Sequence, residues 1–157
     1  MSTVHLHLLM NHVPVVGTLF ALLLFAAAIF LRETVSTRFA LGFSVAIALV
    51  AVAVYFTGEP AEDAVEKLAG VSERIIEQHE EAAGLSTIAM SMFGALALVA
   101  LVIFRKRTMP RWVGAVGFAG TIALSALMGW TANLGGQIRH SEIRSASLQS
   151  GGSESED

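Results

Sequence analysis

The stretch Val13–Leu31, VPVVGTLFALLLFAAAIFL, contains no Asp, Glu, Lys or Arg. Three further stretches share this property: 39–56, 82–104 and 112–134. Each approaches or exceeds the about 20 residues that a helix needs to cross the hydrocarbon of a bilayer. Only helices and closed barrels satisfy their backbone groups in lipid, and these stretches lack the alternation of barrel strands. The sequence therefore predicts an all-α fold, a four-helix transmembrane bundle.

The composition of the 157 residues agrees with this class, since 54 % are apolar and only 15 % are charged. Soluble domains carry about 25 % charged residues. The chain has no cysteine, which excludes disulfide scaffolds, Cys-ligated zinc, iron–sulfur clusters and thiol nucleophiles. A net charge of −3 gives no basic surface for nucleic acid. Membrane lipid is the expected partner, and nucleic acid is not.

Charged residues are distributed unequally between the two ends of the predicted helices. The short connectors after the first and third spans hold six of the ten basic residues and one acidic residue, Glu33. The other twelve of the thirteen acidic residues lie in the loop 58–81 and the C-terminal tail. The positive-inside rule then predicts that both termini and the loop lie outside. In the inner membrane of a bacterium, the outside is the periplasm.

The loop 58–81 is itself predicted to be helical. Pro60 and the acidic residues that follow it are typical of a helix start, and Ser72 can cap a second helix that continues into the third span. Residues 1–145 therefore form one membrane domain. Residues 146–157, rich in Ser, Gly and acidic side chains, are predicted to be a disordered tail.

All five histidines fall on the predicted outer side of the membrane. His5, His7 and His12 precede the first span, His79 precedes the third and His140 follows the fourth. Neutral imidazole is a good iron ligand, and bundle cores commonly hold cofactors. We expect His12 and His79 to bind haem iron, with His140 the next candidate. His5 ranks ahead of His7, to which no role is assigned.

Small residues lie about one helical turn deeper than the candidate ligands. Gly17 follows His12, Gly84 follows His79 and Gly136 precedes His140. These glycines can leave the clearance that a broad porphyrin needs, although small residues also allow helix backbones to approach each other. The predicted cofactor is haem b. Two haems are an alternative to one, because His5 and His12 would share one face of a continuous helix.

Two alternatives to haem remain open from the residues themselves. Histidine near the lipid interface can extend its ring to water or cap backbone carbonyls, which suits a structural accessory subunit. The histidines can also hold zinc or copper, and four acidic residues lie near His79: Glu73, Glu77, Glu80 and Glu81. Amides at the same end can hydrogen-bond a quinone: Asn11, Gln78, Asn133 and Gln137. A stand-alone enzyme is less expected than an electron-transfer protein.

A weak internal repeat relates the two halves of the chain. Asn11-His12 lies five residues before Gly17, and Gln78-His79 lies five residues before Gly84. An aromatic residue followed by Thr closes each even-numbered span, in YFTG at 55–58 and WTAN at 130–133. Two duplicated helical hairpins would produce this pattern, with His12 and His79 in equivalent positions.

Residues 11–17 (NHVPVVG) and 135–140 (GGQIRH) resemble motifs of uncharacterised families of small bacterial membrane proteins. Those families have four helices, a His-x-Pro motif that opens the first and a Gly-Gly motif that closes the last. Some of their members are fused to Rieske iron–sulfur domains. The resemblance implies a role in electron transfer, with a larger respiratory complex or a second copy of the chain as a partner.

Overall fold

The computed structural model describes residues 2–66, 71–140 and 143. The chain forms helices, with short connectors between them, throughout these ranges. In chain order they are α1 (Thr3–Met10), α2 (His12–Leu31), α3 (Thr34–Tyr55), α4 (Gly58–Val65), α5 (Glu73–Ile103) and α6 (Arg111–Arg139). The predicted disordered tail, 146–157, lies outside the described residues.

Four helical segments in the described part of the chain are long and apolar enough to cross a membrane: α1 with α2, α3, α5 and α6. Their outward side chains are large and apolar, as at Leu23, Leu49 and Leu96, each more than 60 % exposed. A soluble bundle would place polar residues at such positions, whereas lipid favours apolar ones. The prediction of an all-helical fold with four membrane-crossing helices is confirmed.

Pro14 lies in the first turn of α2, just after a break in the assigned helix at Asn11. It has no backbone N–H, and its ring crowds the carbonyl of the residue four positions earlier, Met10. The backbone of Asn11 nevertheless stays in the right-handed helical region, and α1 with α2 forms one apolar segment, Thr3–Leu31. His5 lies on α1 and His12 begins α2.

The four long helices pack as a square. α2 and α5 each pack against α3 and α6, so that α2 and α5 lie diagonally opposite each other. Glycines allow the close approach: a Cβ added at Gly94 would lie 2.5 Å from the Ala48 Cβ, and one added at Gly17 would lie 2.6 Å from Ile47 Cδ1. Between the helices lie two groups of buried apolar residues, one around Phe25 and one around Met90.

Arg38 closes one end of this bundle. Its Nη2 donates hydrogen bonds to the carbonyl oxygens of Phe104 at 2.9 Å, Arg105 at 3.2 Å and Arg107 at 2.9 Å. The last carbonyls of a helix have no partner within it, and the negative end of the helix dipole favours a cation there. We call this the basic end (Arg32, Arg38, 105–107 and Arg111) and the opposite one the histidine end.

We predict that Gly117→Ala destabilises the bundle while Gly129→Ala, on the same helix, does not. A Cβ at Gly117 would overlap the ring of Phe25, and nothing lies within 4 Å of one at Gly129. Overpacking of this kind costs about 1–3 kcal/mol, whereas alanine is a better helix former than glycine. Thermal unfolding in detergent measures both variants. Equal losses would contradict the packing described for α2 and α6.

Candidate functional site

His7, on α1, binds the end of α3. Its Nδ1 lies 3.3 Å from the carbonyl oxygen of Val54 and 3.0 Å from the hydroxyl of Thr57. The ring also lies against Gly58, where an added Cβ would be 3.6 Å from His7 Cε1. The side chain is half-buried as a result of this contact.

His79, on α5, binds the last turns of α6 in the same way. Its Nδ1 lies 3.0 Å from the carbonyl oxygen of Thr131. A Cβ added at Gly135 would lie only 3.0 Å from His79 Cε1, which is closer than side chains normally approach. The glycine therefore leaves the space through which the ring reaches the helix backbone.

The two histidine contacts follow one pattern. In each, an imidazole reaches a helix carbonyl, and a glycine stands four residues after that carbonyl: Val54 and Gly58 for His7, Thr131 and Gly135 for His79. At Gly135 an added Cβ would press on the imidazole at 3.0 Å, whereas at Gly58 it would lie at an ordinary contact distance of 3.6 Å, so only Gly135 is required for clearance. The two hairpins thus use the same device, once each.

A carbonyl oxygen can only accept a hydrogen bond, so the contacts fix the tautomer of each neutral ring. Nδ1–H donates, and Nε2 keeps its lone pair. Metal-binding histidines are usually oriented in this manner, with the other ring nitrogen donating to a carbonyl or a carboxylate.

Hydroxyl groups support the segment that holds His79. Thr131 Oγ1 lies 2.8 Å from Ser86 Oγ on α5 and donates to the carbonyl oxygen of Leu127 at 3.0 Å. A longer contact of 3.3 Å joins it to the carbonyl oxygen of Ala82. These bonds tie α5 to α6 directly beneath the imidazole, so the Thr131 carbonyl is held in a fixed position.

Acidic side chains of α4 and α5 face each other at this end. Partial burial raises the pKa of the Glu62 carboxyl, and the nearby charges of Glu80, Glu66, Asp63 and Glu59 raise it further. Glu80 belongs to α5 and follows His79 directly in the sequence. This mutual repulsion is a property of the acidic surface that α4 and the start of α5 form together.

Three of the four histidines favoured by the sequence have exposed side chains: His5, His12 and His140. His140 takes part in an interaction with its surroundings. His79 is brought to a partner helix as expected of a site residue. A second histidine that contacts a helix carbonyl is His7, to which the sequence assigned no role.

The three predicted glycines also have specific neighbours. Gly17 lies against Ile47, whereas a Cβ at Gly84 would lie 3.8 Å from the Tyr55 hydroxyl and one at Gly136 would lie 3.8 Å from Ile143 Cδ1. The absence of a side chain at Gly17 therefore lets α2 pack closely against Ile47 of α3. The glycines that contact imidazoles are Gly58 and Gly135.

The spacing of the two contacts explains why the sequence did not point to His7. His7 and Val54 are 47 residues apart, and His79 and Thr131 are 52 apart. Each separation spans one helical hairpin, from a histidine near its start to the aromatic-Thr segment at its end. Alignment of Thr57 with Thr131 places His5, not His7, opposite His79, so the His7 contact depends on packing that the repeat does not predict.

Two further features describe what this end can bind. Asn11 follows His7 by one turn, and its Oδ1 is buried with no hydrogen-bond partner in the described part of the chain. Within residues 2–66, 71–140 and 143, no three His, Cys, Asp or Glu side chains converge as a metal site would require. Two imidazoles are therefore the donor set that the described residues offer.

Comparisons of the chain with protein-family models, with curated proteins and with solved structures give no match. The class is therefore defined by the fold and the site alone. It is a helical membrane protein in which two histidines from different hairpins are anchored to helix carbonyls beside glycines.

We predict that Gly135→Ala displaces the ring of His79, whereas Gly136→Ala, the neighbouring position, does not. The added methyl group contacts the imidazole in the first variant and only Ile143 in the second. In ¹⁵N spectra of the imidazoles, the bonded Nδ1–H of His79 should disappear in Gly135→Ala and persist in Gly136→Ala. Persistence in both would show that the glycine is not needed for the contact.

Proposed function

We propose that the chain is a membrane electron-transfer protein, or a subunit of one, in which His7 and His79 bind the iron of a b-type haem. The observation that carries the proposal is the shared pattern of the two imidazoles. Each directs Nδ1 at a backbone carbonyl, which leaves Nε2 available to a ligand.

The residues fit haem better than a metal ion alone. Haem iron needs two axial ligands besides the porphyrin, and two imidazoles supply them. Zinc usually takes four ligands or three with water, and the described part of the chain offers no group of three. The donor set therefore favours haem b over a zinc site, and copper remains the metal-ion alternative.

Bound haem would supply a one-electron couple, and the chain would orient its ligands. The carbonyls of Val54 and Thr131 make the imidazoles better donors by holding Nδ1–H. Asn11 Oδ1 can accept a hydrogen bond from the hydroxyl of a quinol, the second predicted cofactor.

We further propose that the histidine end faces the outside of a bacterial inner membrane, with both termini there. The support is the distribution of charge. Six basic residues lie at the basic end, while α4 and the start of α5 are acidic, and positive residues are retained on the cytoplasmic side. Electron exchange with a periplasmic partner or a larger complex would then take place at the histidine end.

The first test uses reduced-minus-oxidised spectra of the purified protein after haem-replete expression. We expect haem absorbance in the wild type and a loss of at least about tenfold in His7→Ala and in His79→Ala, since each removes an axial ligand. The matched variants His5→Ala and His12→Ala change exposed rings and should keep the spectrum.

Other outcomes of this experiment decide against the proposal in distinct ways. Loss in His12→Ala with retention in His7→Ala would support the pair predicted from the sequence. A colourless wild type with stoichiometric zinc or copper would favour the metal-binding alternative. A colourless, metal-free protein would leave a structural accessory subunit.

The orientation can be tested with single cysteines, because the chain has none of its own. In spheroplasts, a membrane-impermeant maleimide should label Glu59→Cys on α4. Thr108→Cys, at the basic end, should react only after the membrane is permeabilised. The reverse pattern would place the histidine end in the cytoplasm.

A further inference from the structure

A cavity of about 290 Å³ opens at the basic end, far from the histidines. It lies where α2 ends and α6 begins, with α3 and the connector before α6 behind it. Nine residues line it: Ala28, Ile29, Arg32, Glu33, Thr37, Met109, Arg111, Gly114 and Ala115. The lining is polar at the mouth of the bundle and apolar towards the membrane interior.

The polar part of the cavity carries a net positive charge. Arg32 and Arg111 face it from two helix ends, and Glu33 is the single carboxylate among the lining residues. Within the described ranges, neither guanidinium side chain forms an ion pair or a hydrogen bond. Arg38, by contrast, is already occupied by the carbonyls at the end of α5. The two free guanidinium groups can bind an anion.

The backbone of Arg32 is unusual. Its φ of 56° and ψ of 31° place it in the left-handed region, and it is the one non-glycine residue with positive φ in the described part of the chain. Glycine normally occupies this position after a helix, because a Cβ is unfavourable there. The chain thus carries a guanidinium where a residue without a side chain would fit better.

The apolar part of the cavity faces lipid. Ala28, Ile29 and Ala115 continue from the charged mouth along α2 and α6, the helices that cross the membrane. Gly114 leaves the space between them open, since the nearest neighbours of an added Cβ are Ile29 and Thr37, at 3.8 and 3.9 Å. An acyl chain could follow this surface while its headgroup stays at the mouth.

We propose that this cavity binds the phosphodiester of an anionic phospholipid such as phosphatidylglycerol. Arg32 and Arg111 hold the phosphate, Glu33 accepts hydrogen bonds from the glycerol hydroxyls, and the acyl chains lie against Ala28 and Ile29. Basic pockets between membrane helices are suited to lipid headgroups, and arginine binds phosphate through two parallel hydrogen bonds.

The experiment measures thermal unfolding of the full chain in nanodiscs of phosphatidylcholine with and without phosphatidylglycerol. We expect phosphatidylglycerol to raise the Tm of the wild type by about 4 °C or more, because a ligand stabilises the state that it binds. The rise should disappear when Arg32→Gly is combined with Arg111→Gln. Glycine suits the backbone at position 32, so this variant should fold at least as well in phosphatidylcholine alone.

Two matched variants separate a site from general surface charge. Arg105→Gln with Lys106→Gln removes the same number of charges from the same end but no cavity residue, and it should keep the rise. Gly114→Leu keeps every charge and fills the cavity, so it should lose the rise. Equal losses in both charge variants, or a full rise in Gly114→Leu, would overturn the proposal.

Two further measurements identify the source of the phosphate group. Inorganic phosphate added to phosphatidylcholine nanodiscs should leave the Tm unchanged. An equal rise with inorganic phosphate would assign the cavity to a free anion. An equal rise with phosphatidylethanolamine would show that net negative charge is not what the site selects. Either result would overturn the assignment to an anionic lipid.

Discussion

Both ends of the bundle depend on one interaction, the hydrogen bond from a cross-packed side chain to a helix carbonyl. Within the hydrocarbon each carbonyl must be satisfied by its own helix, so carbonyls become available to other groups near helix ends. Arg38 uses those at the end of α5. His7 uses the carbonyl of Val54 in the last turn of α3, and His79 uses that of Thr131, about two turns before the end of α6. Each bond joins two helices, and so the same contacts fix the bundle and position the imidazoles.

Glycine makes this interaction possible where the acceptor is a helix carbonyl beneath the next turn. Gly135 leaves the carbonyl of Thr131 open to an imidazole, because a Cβ there would lie only 3.0 Å from the ring, and Gly58 lies beside the ring of His7. Other glycines, such as Gly94 and Gly117, instead bring two helices into contact. The two roles differ only in what fills the space, a ring from another hairpin or a packed apolar side chain.

The sequence predicted the four membrane-crossing helices, because long uncharged stretches leave a helix as the only structure that satisfies the backbone in lipid. It could not predict which histidine faces inward. His7 and His12 differ by less than two turns, and the break in the assigned helix at Asn11 lies between them. Pro14 predicted a kink, but the orientation of α1 relative to α2 also depends on packing against α3 and α4. The sequence could not assign roles to the glycines either, because a glycine that leaves room for a ligand and one that allows close helix packing look the same in a sequence.

We propose His7 rather than His12 as a haem ligand because a side chain that is not held in place loses conformational entropy when it binds. A metal-binding imidazole must keep its Nε2 directed at the iron, and a free ring loses rotational entropy when it is fixed. His7 is already held by Val54 and Thr57, whereas His12 is exposed. At His7 the rotational entropy of the ring is therefore lost during folding, whereas at His12 it would be lost when the ligand binds. His79 is held in the same way, so both proposed ligands are oriented before any haem binds. A haem between them would connect the two helical hairpins.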